Sequence, residues 1–123
     1  MLVLLLIAAG SLGASVRFST EWLIRRIVGT DTSLGTWVCN MGGSLLAGFV
    51  MGSVMFFEYT EMSLIISVGF AGSYTTFSTW MLQAAVFIQS GLWRDAFYSI
   101  FGSIGAGVLF VFIGYALAES LFR

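Results

Sequence analysis

Four apolar stretches, at about 2–24, 36–57, 62–90 and 95–118, take up almost all of a 123-residue chain. Each is close to the ~20 residues that a helix needs to cross the hydrocarbon core of a bilayer. The loops between them are too short for a soluble domain. Charged residues make up 9% of the chain and hydrophobic ones 59%, against roughly 25% charge in a soluble domain. The expectation is an all-α membrane protein, a single four-helix transmembrane domain over 1–123. The first stretch lacks a basic leading segment and runs on into Arg17 and Trp22, unlike a cleaved signal peptide.

Residue counts narrow the function classes. There is no proline or histidine, all positive charge is arginine, and the one cysteine is Cys39. Disulfide scaffolds and Cys/His metal centres are thereby excluded, and Cys39 reads as a small packing residue. A net charge of −1 without a basic run excludes nucleic acid as a partner. Arg25, Arg26, Asp31, Arg94 and Asp95 fall on one side of the membrane; Glu58, Glu61, Glu119 and Arg123 fall on the other. The slight arginine excess favours the first side as cytoplasmic. A bias so weak also suits a chain that inserts both ways or pairs with an oppositely oriented partner.

The third stretch contains Gly69-Phe70-Ala71-Gly72-Ser73-Tyr74-Thr75-Thr76-Phe77-Ser78-Thr79-Trp80, dense in hydroxyls, glycine and aromatic rings between lipid-like flanks. Gly and Thr weaken a helix without proline. Irregular backbone at membrane depth is tolerated only where it is buried in protein or lines a cavity. The run therefore reads as a helix broken mid-span, where small channels and transporters place an ion site.

The other stretches supply polar residues at helical spacing. Gly10, Gly13, Ala14 and Arg17 share a stripe of the first. A membrane-buried arginine is costly and needs a partner. Glu21, one turn away, offers one; alternatively Arg17 forms a positive vestibule that attracts anions. In the second, Thr36, Asn40, Ser44 and Ala47 stack on one face, and Asn40 is either interhelical glue or a donor to an ion. In the fourth, Ser99 and Ser103 lie one turn apart. They either hand an anion along or bond the preceding turn. No Asp or Glu lies within the spans away from their ends, so the intramembrane polar groups are overwhelmingly donors. That favours a small anion over a cation as the permeant species. The rings of Phe77 and Trp80 are packing, or present positive edges to that anion.

Four motifs carry a family resemblance. Gly10-Ser11-Leu12-Gly13-Ala14-Ser15-Val16-Arg17-Phe18 is similar to G-x-x-G-A-x-x-R-Y. The segment at 35–48, with Gly35, Thr36, Asn40, Gly43, Ser44 and Gly48, is similar to G-T-x-x-x-N-x-x-G-S-F-x-x-G. The run at 69–80 resembles G-F-C-G-G-L-T-T-F-S-T-F, and Ser103 with Gly114-Tyr115 resembles the family's fourth helix. Together they resemble the Fluc (CrcB) family of fluoride channels over nearly the whole chain.

The resemblance implies an antiparallel, dual-topology dimer with two narrow fluoride pores at the interface, in the bacterial plasma (inner) membrane. It also implies a structural Na⁺ on the dimer axis, held by the backbone carbonyls of Gly72 and Thr75. Phe77 and Trp80 match the family's two pore phenylalanines, and Asn40 its pore asparagine. Thr36, Ser78, Thr79 and Ser103 resemble its polar track, and Arg17 its vestibule arginine. A strongly hydrated ion needs its water replaced nearly one for one by such donors. The sequence departs from the pattern at Trp80 (phenylalanine in the family), Met81 (serine), Gln83 (glutamate) and Gly107. Such a chain functions as a homodimer or beside a paired paralogue. The competing reading is a small antiparallel multidrug or metabolite transporter, but that class requires a carboxylate within the first helix, where this chain has Arg17. An enzyme is excluded, because no base, nucleophile or metal set lies together.

Overall fold

The computed structural model describes residues 1–29, 33–58 and 60–123; Asp31, counted above with the Arg25 side, lies outside them. All the described secondary structure is helical. α1 (Leu2–Val28) and α2 (Leu34–Val54) run unbroken. The third span is α3 (Thr60–Leu64), a π-helical segment Ile65–Ala71, α4 (Gly72–Tyr74) and, after two extended residues, α5 (Phe77–Gln89). The fourth is α6 (Trp93–Phe97), a π-helical segment Tyr98–Gly102 and α7 (Ser103–Phe122). Glycine occupies two sharp turns with positive φ, Gly29 (116°) ending α1 and Gly91 (74°) after α5, a conformation that costs residues with a Cβ far more.

Among the described residues three helices are long and apolar enough to cross a membrane: Leu2–Val28, Leu34–Val54 and the continuous Trp93–Phe122. The remaining apolar stretch is divided by its break, so neither half reaches a spanning length. The chain is therefore a multi-pass membrane protein of four helical stretches, one of them interrupted.

Its packing is that of a protein in lipid. The buried apolar side chains are mostly small, among them Cys39, Ala71, Ala84, Ala96 and Ala118, while Phe112 and Leu121 point outward at 67% and 68% exposure. Lipid tails are as apolar as leucine, so burying large hydrophobes gains little there; close backbone approach at small residues holds the helices together. α2 and α7 form the most extensive contact. A Cβ on Gly48 would collide with the Val111 carbonyl, and one on Gly114 with the Leu45 carbonyl, so each helix gives a glycine to the other's backbone. In the same way α1 meets the π-helical segment Ile65–Ala71, where Gly13 lies against the Phe70 carbonyl. Two tight helix pairs thus flank the break, and the extended residues lie beside Asn40 of α2 and Arg17 of α1.

Candidate functional site: the break and its two clefts

The break is two residues wide. Thr75 (φ −82°, ψ 160°) and Thr76 (φ −147°, ψ 124°) are both extended. Two β-branched residues side by side favour that conformation over a helix. Leaving the helix frees backbone groups that lipid cannot satisfy, and neighbouring side chains take up several of them. Asn40 bonds Thr76 with both ends of its amide: the Thr76 N–H donates to Oδ1 at 2.8 Å, and Nδ2 donates to the Thr76 carbonyl at 3.0 Å. Thr76 then caps α5, its hydroxyl accepting from the Thr79 N–H at 3.4 Å and meeting the Thr79 hydroxyl at 3.2 Å. Hydroxyl capping of this kind stabilises a helix start by about 1 kcal/mol.

Four carbonyls, those of Gly72, Ser73, Tyr74 and Thr75, lose their helical partners in the process. In a continuous helix the Gly72 carbonyl accepts from the N–H of Thr76, and the Thr75 carbonyl from that of Thr79. Here those N–H groups turn instead to Asn40 and to the Thr76 hydroxyl. Arg17 Nη1 donates to the Thr75 carbonyl at 3.2 Å, and the Thr75 hydroxyl makes a long 3.4 Å bond to the Gly72 carbonyl. Arg17 therefore does not pair with Glu21: among the described residues the one ion pair is Glu119–Arg123, at 3.1 Å. The guanidinium reaches the third span because Gly13, one turn earlier on α1, brings the two backbones together.

Beyond the break, α5 carries the two rings. Phe77 and Trp80 meet edge to face, with centroids 5.6 Å apart at 82°. Trp80 Nε1 donates to the Ser99 carbonyl at 2.8 Å, within the π-helical segment of the fourth span. One turn further on, Gln83 Nε2 donates to the Thr36 hydroxyl at 3.3 Å.

Two clefts flank these residues. The larger, about 750 Å³, runs between α2, α5 and the fourth span and is lined by Thr36, Gln83, Ser99 and Asp95 among others. The smaller, about 410 Å³, extends past Ser44, Thr76, Phe77 and Gly107. Asn40, Trp80 and Ser103 line both, so the two clefts meet at these three residues. Asp95, at the start of α6, is the sole carboxylate on either lining; the other polar side chains are hydroxyls and amides.

Of the residues singled out in the sequence, Asn40, Thr36, Phe77, Trp80 and Ser103 come together along the clefts. Ser78 and Thr79 line neither cleft; both cluster around the capping hydroxyl of Thr76. Arg17 reaches the Thr75 carbonyl from α1 and the Thr75 hydroxyl bonds the Gly72 carbonyl, while Thr75 also lines the smaller cleft. Sequence spacing did not single out Thr76, whose backbone is Asn40's partner, or foresee that Gln83 ties α5 to Thr36. A threonine pair directly before an aromatic was the only available sign of the cap. Neither π-helical segment has a sequence signature, since each depends on the helix packed against it.

The family described as CrcB-like protein, Camphor Resistance (CrcB), matches residues 4–115. The chain is 33% identical over 121 residues to the fluoride-specific ion channel FluC of Dehalococcoides mccartyi, covering 97% of this chain and 93% of that one. It is 36% identical over 115 residues to the protein of the same name from a Hydrogenobaculum species, covering 90% and 92%. A third relative, fluoride-specific ion channel FluC 1 of Symbiobacterium thermophilum, is 36% identical over 112 residues, covering 89% and 90%. With this match across nearly its whole length, the chain belongs to the CrcB family.

Proposed function

We propose that this protein is a fluoride-selective channel that carries F⁻ passively out of the cytoplasm across the bacterial inner membrane. The observation that carries the reading is the junction of the two clefts, where the Asn40 amide, the Ser103 hydroxyl and the Trp80 ring converge beside a broken helix, with the Phe77 ring next to them on the smaller cleft. Fluoride holds its hydration shell tightly, so a narrow path must supply donors as water is lost. The Asn40 amide keeps one N–H beyond the one it gives to Thr76, and the Thr36 and Ser103 hydroxyls lie along the same surface. Ring edges at Phe77 and Trp80 add weak positive potential without competing water. The names of the relatives supply the ion. They name channels rather than enzymes, and nothing here asks for a catalytic group.

The same geometry supports a dimer. Phe77 lines a cleft and yet is 69% exposed, so the polar cleft opens sideways on the single chain. A cleft of hydroxyls facing lipid is costly; an antiparallel second copy, or an oppositely oriented paralogue, closes it. The carbonyls of Gly72 and Thr75 are among those whose helical partners are diverted, here to Asn40 and to the Thr76 hydroxyl. Backbone oxygens of this kind suit a hard cation such as Na⁺. Arg17 occupies one lone pair of the Thr75 oxygen and leaves the other. When bound, Na⁺ would neutralise the dipoles of the carbonyls that hold it.

The test is fluoride release from liposomes holding this chain alone, read with a fluoride electrode and with chloride as control. Fluoride release without chloride release is the expected result. Equal release of both ions would overturn selectivity. No release from folded, dimeric protein would assign the chain to a pair with a paralogue.

A further inference from the structure

α5 carries both pore-facing rings but is poorly held by packing. Of its 13 residues only Ala84 is buried, and its contacts with α2 are few. Two directed bonds connect it to its neighbours within the chain. Gln83 donates to Thr36 on α2 and Trp80 donates to the Ser99 carbonyl of the fourth span, at 3.3 and 2.8 Å. The second is the shorter and the better placed, because it falls beside the junction of the clefts. Ser103, which lines both clefts, lies one turn beyond Ser99.

The Ser99 carbonyl lies in a stretch of irregular helix. Tyr98–Gly102 is π-helical, with bonds that skip five residues rather than four. An indole N–H at membrane depth has no water to bond and must find an acceptor in the protein. Trp80 finds it in this turn.

We propose that Trp80 is a positioning residue of the ion path: its N–H tethers α5 to the π-turn of the fourth span, sets the gap between Trp80 and Ser103, and is withheld from the permeating anion. An indole has a single N–H donor, and here it is given to the Ser99 backbone carbonyl. Trp80 therefore contributes ring edge and spacing to the junction, and the donors come from Asn40, Ser103 and Thr36. The statement about the ion rests on the channel reading; the tether itself does not.

The experiment uses full-length protein in lipid nanodiscs. Trp80→Phe removes the donor and shortens the ring. Replacing Trp80 by benzothienylalanine removes the donor alone, with sulfur in place of N–H. Amide hydrogen exchange is followed over residues 98–104 without fluoride present. Loss of one net hydrogen bond corresponds to roughly tenfold easier local opening, so about tenfold faster exchange is expected there in the benzothienylalanine protein. Unchanged exchange would overturn the tether. In the parent protein the Trp80 indole N–H resonance, assigned through its own bonds, is then titrated with NaF and with NaCl. It is expected to hold its position in both; a saturable shift with NaF alone would show a fluoride ligand and overturn the positioning role. If fluoride moves no resonance anywhere in the protein, the channel reading fails, and the tether is decided by the exchange measurement, which needs no ion.

Discussion

On the proposed reading Asn40 supports the path in two ways, and the two make different demands. Its carbonyl oxygen and one amide hydrogen hold Thr76 in its extended conformation, which keeps the break open; its remaining hydrogen faces the clefts. Asn40→Asp separates them. The carboxylate still accepts the Thr76 N–H, but it sets a negative charge against the Thr76 carbonyl and across the route of an anion. Two like charges about 4 Å apart repel by roughly 4 kcal/mol at the intermediate dielectric typical of such sites. A barrier raised by about 2.7 kcal/mol already slows transport roughly a hundredfold. Fluoride efflux from Asn40→Asp liposomes is therefore expected to fall by at least about a hundredfold, and efflux equal to the parent's would remove Asn40 from the path.

At the scale of elements, the third span stays broken because its neighbours complete it. Its N-terminal half is clamped against α1 through Gly13 and Gly69, and its C-terminal half is capped by Thr76 and tied by side chains. Gly13→Ala tests the clamp. The added methyl would meet the Phe70 carbonyl and push α1 away, which also withdraws Arg17 from the Thr75 carbonyl. Overpacking a tight contact costs typically 1–3 kcal/mol, so a lower midpoint of thermal unfolding in detergent is expected, with a parallel loss of efflux. A Gly13→Ala protein as stable and active as the parent would mean that the approach of α1 to the third span is not what holds the break.

For the whole molecule, the proposed reading has a second chain close the cleft that opens sideways and a cation add to the bonds that the Gly72 and Thr75 carbonyls already make within one chain. If a cation bridges the Gly72 and Thr75 carbonyls of two copies, dialysis into sodium-free buffer with a bulky organic cation should slowly disable efflux, and restored Na⁺ should recover it. Efflux unaffected by prolonged absence of Na⁺ would remove the axial cation from the assembly. Cross-linking between cysteines placed at opposite ends of α5 would test the antiparallel arrangement, since only that arrangement brings those ends together.

Much of this was legible in the sequence because membrane depth leaves few options. Four apolar lengths, a run of hydroxyls and glycines inside one of them, and spans without interior carboxylates follow from composition and spacing alone. They were enough to place the break and to favour an anion. Partner choice could not be read this way. Arg17 has Glu21 one turn away, and sequence distance favours that pair; helix packing through Gly13 gives the guanidinium a backbone carbonyl 58 residues later instead. Ser78 and Thr79 resembled pore hydroxyls by position, yet they gather at the cap of α5. Trp80 looked like an oversized phenylalanine, and only the position of the fourth span showed where its N–H goes. The sequence determined which groups need partners, because an unpaired polar group in lipid is costly whatever the fold. The tertiary structure decided which partners they have, because that depends on helices brought together from distant parts of the chain.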